Sequence, residues 1–393
     1  MSREKKYEID MCNGSIMDKL ISFALPLMLS GMLQLMFNAV DIVVVGRFSG
    51  SQSLAAVGAT TALIYLFTNL FIGISLGANV LAARYYAAGK HEEMSETVHT
   101  AMMFALISGI IMIFVGLFFS RLALEIMGTP SDVIDQATLY MRIYFLGMPF
   151  FMLYNYGAAI LRAVGDTKRP LIFLIISGVV NACLNMLLVI VFHLDVAGVA
   201  IATVTSQFIS CVLVIGCLYR TKSSYQLRFS RLKIRKEYLK PICQVGIPAG
   251  IQSTVINFSN ALLQSSVNSF GSTTMAGYTA ANNIFGFLYV SVNAITQACM
   301  SFTSQNYGLR KLKRMDKILM DCLILTVVVS LVLGGGVYLF GAEILRLYTE
   351  EAEVIRCGIE IFAYTTVTYF LCGIMDLFPG ALRGMDRSTV PMI

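Results

Sequence analysis

The chain has 393 residues, of which 57% are hydrophobic and 13% charged, against roughly 25% charged in soluble domains. Such a composition cannot cover its own surface with polar groups in water, so most of the exterior faces lipid. Soluble domains, secreted disulfide scaffolds, disordered chains and nucleic-acid binders are excluded on this ground, and the net charge of +6 needs another explanation.

Apolar stretches long enough to cross about 30 Å of hydrocarbon fall near 20–46, 54–83, 98–119, 138–161, 170–192, 196–218, 242–268, 276–305, 318–340 and 357–382. The runs are continuous and lack the alternation of a membrane barrel. The fold expected is therefore all-α and polytopic, with ten transmembrane helices. If the N-terminus is cytoplasmic, the loops on that side are 1–19, 84–97, 162–169, 219–241, 306–317 and 383–390. They hold 24 of the 29 Lys and Arg residues. The positive-inside rule then sets an N-in, multi-pass topology in the cell (cytoplasmic) membrane. The same bias accounts for the net charge without a nucleic-acid partner. No cleavable signal peptide is expected, because the first apolar stretch is too long for a signal core. The basic run from Arg220 to Lys240 reads as a linker anchored by its charge, with an anionic-lipid contact as the other reading.

In the first span, Asp41 follows Gln34 and Asn38 at helical spacing, which puts the three on one face. A mid-helix Asp costs roughly 2.5–3.5 kcal/mol on insertion scales, so such residues usually face a cavity. There a carboxylate holds either a proton or a bound cation. The bland reading is a helix-end Asp in outer water. Pro26 in the same span is a place for the helix to bend. Gly73-x-x-x-Gly77 in the second span permits close helix packing. The fifth span carries Asn181 and Asn185 at i, i+4, whose carbonyl oxygens suit a hard cation or, alternatively, interhelical hydrogen bonds. Thr203, Thr205, Ser206 and Gln207 in the sixth span admit the same two readings. In the tenth span, Asp376 reads as a second coupling group, a contact for a cationic substrate, or a residue near the inner interface beside Arg383. Nine scattered cysteines without a CxxC pair and only three histidines, His91, His99 and His193, give no metal motif. No cofactor is expected beyond a transported ion.

The chain repeats itself. Leu161-Arg162, Thr167 and Pro170 match Leu382-Arg383, Ser388 and Pro391 at an offset of 221, as Met94 matches Met315. Upstream, Pro26 and Phe48 match Pro248 and Phe270 at an offset of 222. Six helices per repeat is an even number, so both copies cross in the same sense, an arrangement found in secondary transporters. Two pseudo-symmetric six-helix lobes are expected, 1–220 and 221–393, joined by the basic linker 219–241. The second copy ends after four helices, so a C-terminally truncated chain is expected.

Several segments carry a family resemblance: QLMFNAVDIVVVGRFSG at 34–50, LAAVGA at 54–59, LRAVGDTKRP at 161–170 and VNACLN at 180–185. VAGVAIATVTSQ at 196–207, TAANNI at 279–284 and SQNYG at 304–308 extend it to nearly the whole chain. On these segments the chain resembles the multidrug and toxic compound extrusion (MATE) family. The resemblance implies two lobes forming a V, and efflux driven by inward movement of sodium or protons. It also implies a coupling site at Asp41, Asn181, Asn185 and Thr203, with bending of the first helix at Pro26. Three departures stand out. Phe37 occupies a position where many members have Tyr. Asn185 occupies one where coupled relatives carry Asp. The seventh and eighth spans lack the acid found in other members, and sodium-coupled relatives place an Asp near Cys372, one turn before Asp376.

The expected function is secondary antiport, exporting organic and often cationic small molecules in exchange for H+ or Na+ by alternating access. A lipid-linked saccharide flippase of the same superfamily is the alternative, and an intramembrane enzyme is disfavoured because no nucleophile, base or metal motif is present. The partners expected are a small-molecule substrate and the bilayer, with the protein a monomer.

Overall fold

Lipid offers no partner to backbone N–H and C=O groups, so continuous apolar segments satisfy them internally as helices. The computed structural model describes residues 7–268, 270–346, 351–366 and 368–392. Arg3, Lys5 and Lys6 of the first basic loop lie outside the described residues. Twelve α-helices are found among the described residues, and no strand. They are α1 (Met17–Phe48), α2 (Gly50–Ala87), α3 (His91–Ile126), α4 (Ile134–Leu146), α5 (Met148–Ala163) and α6 (Lys168–Asn185), which runs into a π-turn at Met186–Val191. Then come α7 (Asp195–Arg220), α8 (Lys236–Asn268), α9 (Ser272–Gly308), α10 (Leu312–Arg346), α11 (Ala352–Thr365) and α12 (Tyr369–Gly384).

A helix occupies each of the ten predicted places. The fourth span is a bent pair, α4 and α5, meeting at 48°. Pro149 stands in the first turn of α5, where its missing N–H and its ring prevent α4 from continuing. The tenth span is likewise a bent pair, α11 and α12. Pro379 lies inside α12 and does not mark that break. Pro26 lies inside α1, which is continuous through it. By length and apolar composition seven helices cross a bilayer unaided, and the bent pairs raise this to nine. The predicted span that does not qualify is α8, whose far half is polar. Ser253, Thr254, Asn257 and Ser259 each donate to the carbonyl four residues earlier, at 2.9–3.0 Å. This is how a polar helix removes its donors from lipid.

The two largest core regions among the described residues lie one in each repeat, but α1 is shared between them. Val44 and Val45 near its C-terminus join the core of α2, α3, α4, α5 and α7. Leu20, Phe23, Ala24 and Leu27 near its N-terminus instead join Ala294, Ile295, Phe302, Cys322 and Leu377 of the second half. Phe23 and Phe302 meet edge to face at 5.6 Å. In the opposite direction, Ile242 of α8 joins the first core.

The halves are tied at the end of the molecule that carries the basic loops. Gly73 and Gly77 of α2 lie against Gly246 and Gly250 of α8. A Cβ on Gly73 would sit 2.4 Å from the Gly250 nitrogen, and one on Gly77 2.1 Å from the Ile242 oxygen. Beside this seam Ser301 donates to Asn79 at 3.1 Å, Ser304 to the Val80 carbonyl at 2.6 Å and Gln305 to the Ala163 carbonyl at 2.7 Å. Arg84 pairs with Asp386. The segment before α1 straps the same end, with Glu8 accepting from Tyr86 and Tyr225, both at 2.8 Å. The basic linker is fastened down: Arg235 pairs with Glu96 at 2.6 Å, and the Arg228 N–H donates to His99 at 3.0 Å. Toward the far end, Met36, Val40 and Val43 of α1 and Val255, Phe258 and Leu262 of α8 are exposed.

Candidate functional site

Asp41 leaves α1 toward α6. Its carboxylate accepts a hydrogen bond from the Asn185 amide, and the same amide donates to Asn181 at 3.2 Å. Thr203 of α7 stands beside the carboxylate. Asn181 and Asn185 are buried, at 4% and 0% exposure, deep between the helices. The carbonyl oxygen of Asn185 is buried without a hydrogen-bond partner on the protein. An orphaned acceptor of this kind is costly unless it serves a ligand. One carboxylate, amide oxygens and a hydroxyl form a donor set of hard oxygens, which fits a proton or a small hard cation.

Local packing explains why these side chains meet. Phe37 lies one turn before Asp41, and Gly178 lies one turn before Asn181. A Cβ on Gly178 would fall 1.9 Å from the Phe37 ring. The ring therefore keys into the one position of α6 that lacks a side chain, and this sets the depth of Asp41 against Asn185. The π-turn begins directly after Asn185, and such turns recur at functional sites.

The supporting residues divide. Asn38 stands beside Tyr65 of α2, and Gln207 of α7 beside Tyr144 of α4. Gln34 and Asn38 are exposed on α1, and Gln34 is not among the residues brought to Asp41. Tyr140 stacks on Tyr144 at 6.2 Å, and the electrostatic reach of Asp41 extends to both. These tyrosines are not among the site residues expected from the sequence. Their i, i+4 spacing in an apolar span was the only local signal, and Tyr65 had none.

Asp376 belongs to a second polar group, in the other half. On α12 it shares its surroundings with Arg383 and with Tyr289 of α9. Arg383 donates to Gln252 of α8 at 2.6 Å. Tyr289 stands beside Asn293, which accepts from Gln297 at 2.8 Å. These α9 residues repeat every fourth position, a stripe the sequence reading passed over.

A family model described as MatE matches residues 26–187 and 248–393, two copies that start 222 residues apart at Pro26 and Pro248. The chain belongs to the MatE family. It is 29% identical over 380 residues to the probable multidrug resistance protein YoeA of Bacillus subtilis, covering 94% of this chain and 82% of that one. It is 22% identical to the multidrug export protein MepA of Staphylococcus aureus, covering 100% of this chain and 87% of the relative. Among solved structures, an outward-facing multidrug resistance MATE family transporter of the MOP superfamily superposes with a TM-score of 0.91 at 21% identity. The match covers 97% of this chain and 85% of that one. A MOP superfamily transporter from Pyrococcus furiosus, whose binding pocket is described as reversed in polarity, superposes with a TM-score of 0.90 at 21% identity. It covers 97% of this chain and 85% of that one. The MatE family thus accounts for the repeat and for a multi-pass membrane protein.

Proposed function

We propose that this MatE-family chain is a secondary antiporter exporting small organic molecules, including cationic ones, in exchange for H+ or Na+. The observation that carries the reading is the contact of Asp41 with Asn185, beside Asn181 and Thr203, with the Asn185 carbonyl oxygen left unpartnered. That cluster joins α1 to α6 and α7, so occupancy by an ion is felt where α1 divides between the halves. Coupling requires only that ion and substrate favour opposite states. The positive-inside rule assigns the basic end, where the halves are tied together, to the cytoplasm of a cell membrane. The chain acts as a monomer, and the work is done by binding and movement without covalent chemistry. Asn185 in place of a second carboxylate leaves Asp41 as the one titrating member of the cluster.

The test is dye efflux from everted vesicles under an imposed proton gradient and, separately, a sodium gradient, for the chain and its Asp41→Asn variant. Efflux that follows one gradient and is lost in the variant supports the reading and names the ion. Efflux unchanged in the variant removes Asp41 from the mechanism and moves attention to Asp376. The flippase alternative has one observation in its favour, Arg383 within the second polar group, but Asp376 opposes its charge there. Absent dye efflux with retained lipid-linked saccharide movement would select it.

A further inference from the structure

A cavity lies at the basic end, where the last turn of α2 meets the last turn of α9. These two helices are equivalent in the two repeats, so the cavity sits on the pseudo-symmetry axis between the halves. Its volume is about 480 Å³, and Arg84, Tyr85, Lys90, Tyr307 and Arg310 are among its lining residues. No acidic residue lines it. Asp386 and Glu93 pair with Arg84 and Lys90 from outside the lining, the latter at 3.4 Å. No ion pair is found for Arg310 among the described residues. Arg84 stacks over the Tyr307 ring at 5.0 Å. Two further guanidinium nitrogens of Arg84, Nε and Nη2, are buried without an acceptor. Arg310 has a φ of +56°, where the first repeat places Gly89 at +67°, 221 residues earlier. A cationic side chain thus stands where the backbone conformation favours glycine.

Three cations and two aromatic walls around a partly open volume make a receptor for a phosphate-bearing anion. We propose that this cavity binds such an anion, held between Arg84, Lys90 and Arg310. The ligand touches both halves, and the cavity exists only while the ends of α2 and α9 are together. It therefore binds the state closed at the basic end and stabilises that state by mass action. Binding itself does not depend on the antiport reading. Its consequence for transport does: an anion held here slows reopening of the basic end. The phosphate could be that of a soluble anion or of an anionic lipid headgroup, and the experiment separates the two.

Because the sequence holds no Trp, Tyr307→Trp places a single fluorophore in the wall and keeps an aromatic face beneath Arg84. The full chain in phosphatidylcholine nanodiscs is titrated with inorganic pyrophosphate at constant ionic strength, with chloride as the control. The expected result is a saturable change in Trp emission, absent with chloride. Lys90→Gln and Arg310→Gln, each in this background, weaken it about tenfold. If nanodiscs containing phosphatidylglycerol produce the change without pyrophosphate, and block its further effect, the source is a lipid headgroup. The proposal is overturned by no saturable change in either lipid, or by one that survives the Lys90→Gln/Arg310→Gln double variant. Thermal unfolding of the unsubstituted chain gives an independent reading. Pyrophosphate or phosphatidylglycerol raises its apparent Tm but not that of the double variant, and an equal rise in both overturns the proposal.

Discussion

At the scale of single residues, Asp41 shows how one hydrogen bond across 144 positions converts a membrane liability into a site. The Asn185 amide uses its N–H groups to hold Asp41 and Asn181, and leaves its carbonyl oxygen free. A hydrogen bond to a charged group contributes about 1.5–3 kcal/mol. Asn185→Ala is therefore expected to weaken ion-dependent efflux about tenfold or more, measured as the gradient needed for half-maximal dye export. Asn181→Ala, one hydrogen bond removed from the carboxylate, is expected to have a smaller effect in the same assay. Equal loss in both variants would mean that the pair acts as a structural unit and not through Asp41. At this scale the sequence named residues that the fold brings together, because Asp and Asn in apolar spans are costly and hence conspicuous. It could not name Tyr65, Tyr140 and Tyr144, since tyrosine is common at helix surfaces and carries no such penalty.

At the scale of elements, register decides whether those residues meet. The Phe37 ring fills the space above Gly178, and a Cβ there would fall 1.9 Å from it. Overpacking of a close contact costs about 1–3 kcal/mol. Gly178→Ala should accordingly lower the apparent unfolding temperature in detergent and reduce efflux by shifting Asp41 relative to Asn185. Adding Phe37→Leu should restore part of both. Restoration of stability without efflux would show that Phe37 serves the site beyond its packing. The expectation of a bend at Pro26 takes a particular form here, because α1 is continuous while its two ends belong to different cores. A proline removes one backbone hydrogen bond, so Pro26 weakens the helix between its two attachments. The break between α4 and α5 was legible from Pro149; that between α11 and α12 was not, since no proline stands at it.

At the scale of the molecule, the question is what holds the basic end closed. The Arg84–Asp386 pair is partly exposed, with side chains 19% and 36% accessible, and pairs of this kind contribute about 0–1 kcal/mol. Asp386→Asn is therefore expected to change the efflux rate less than about fivefold. The glycine seam between α2 and α8 is a different matter. A Cβ on Gly77 would meet the Ile242 carbonyl at 2.1 Å, and backbone cannot rotate out of the way as a side chain does. Gly77→Ala should force the helices apart, and it should lower the apparent Tm more than Asp386→Asn does. The reverse order would mean that electrostatics, and not close packing, closes this end.

Hydropathy, charge bias and an internal offset are local or additive properties of the chain. They were enough to determine the membrane setting, the helix positions and the repeat, while the family resemblance came from particular segments. The tertiary structure alone decided that Asn185 reaches Asp41, that α1 is divided between two cores, and that Arg84, Lys90 and Arg310 surround one cavity. It also decided that α8, too polar to qualify as a span by composition, lies along the glycine face of α2. The physical reason is common to all four. Between helices in lipid no hydrophobic drive selects partners, so association rests on close packing of small residues and on a few hydrogen bonds. Those contacts depend on depth and rotation to within an ångström or two, and a linear pattern of apolar residues carries neither.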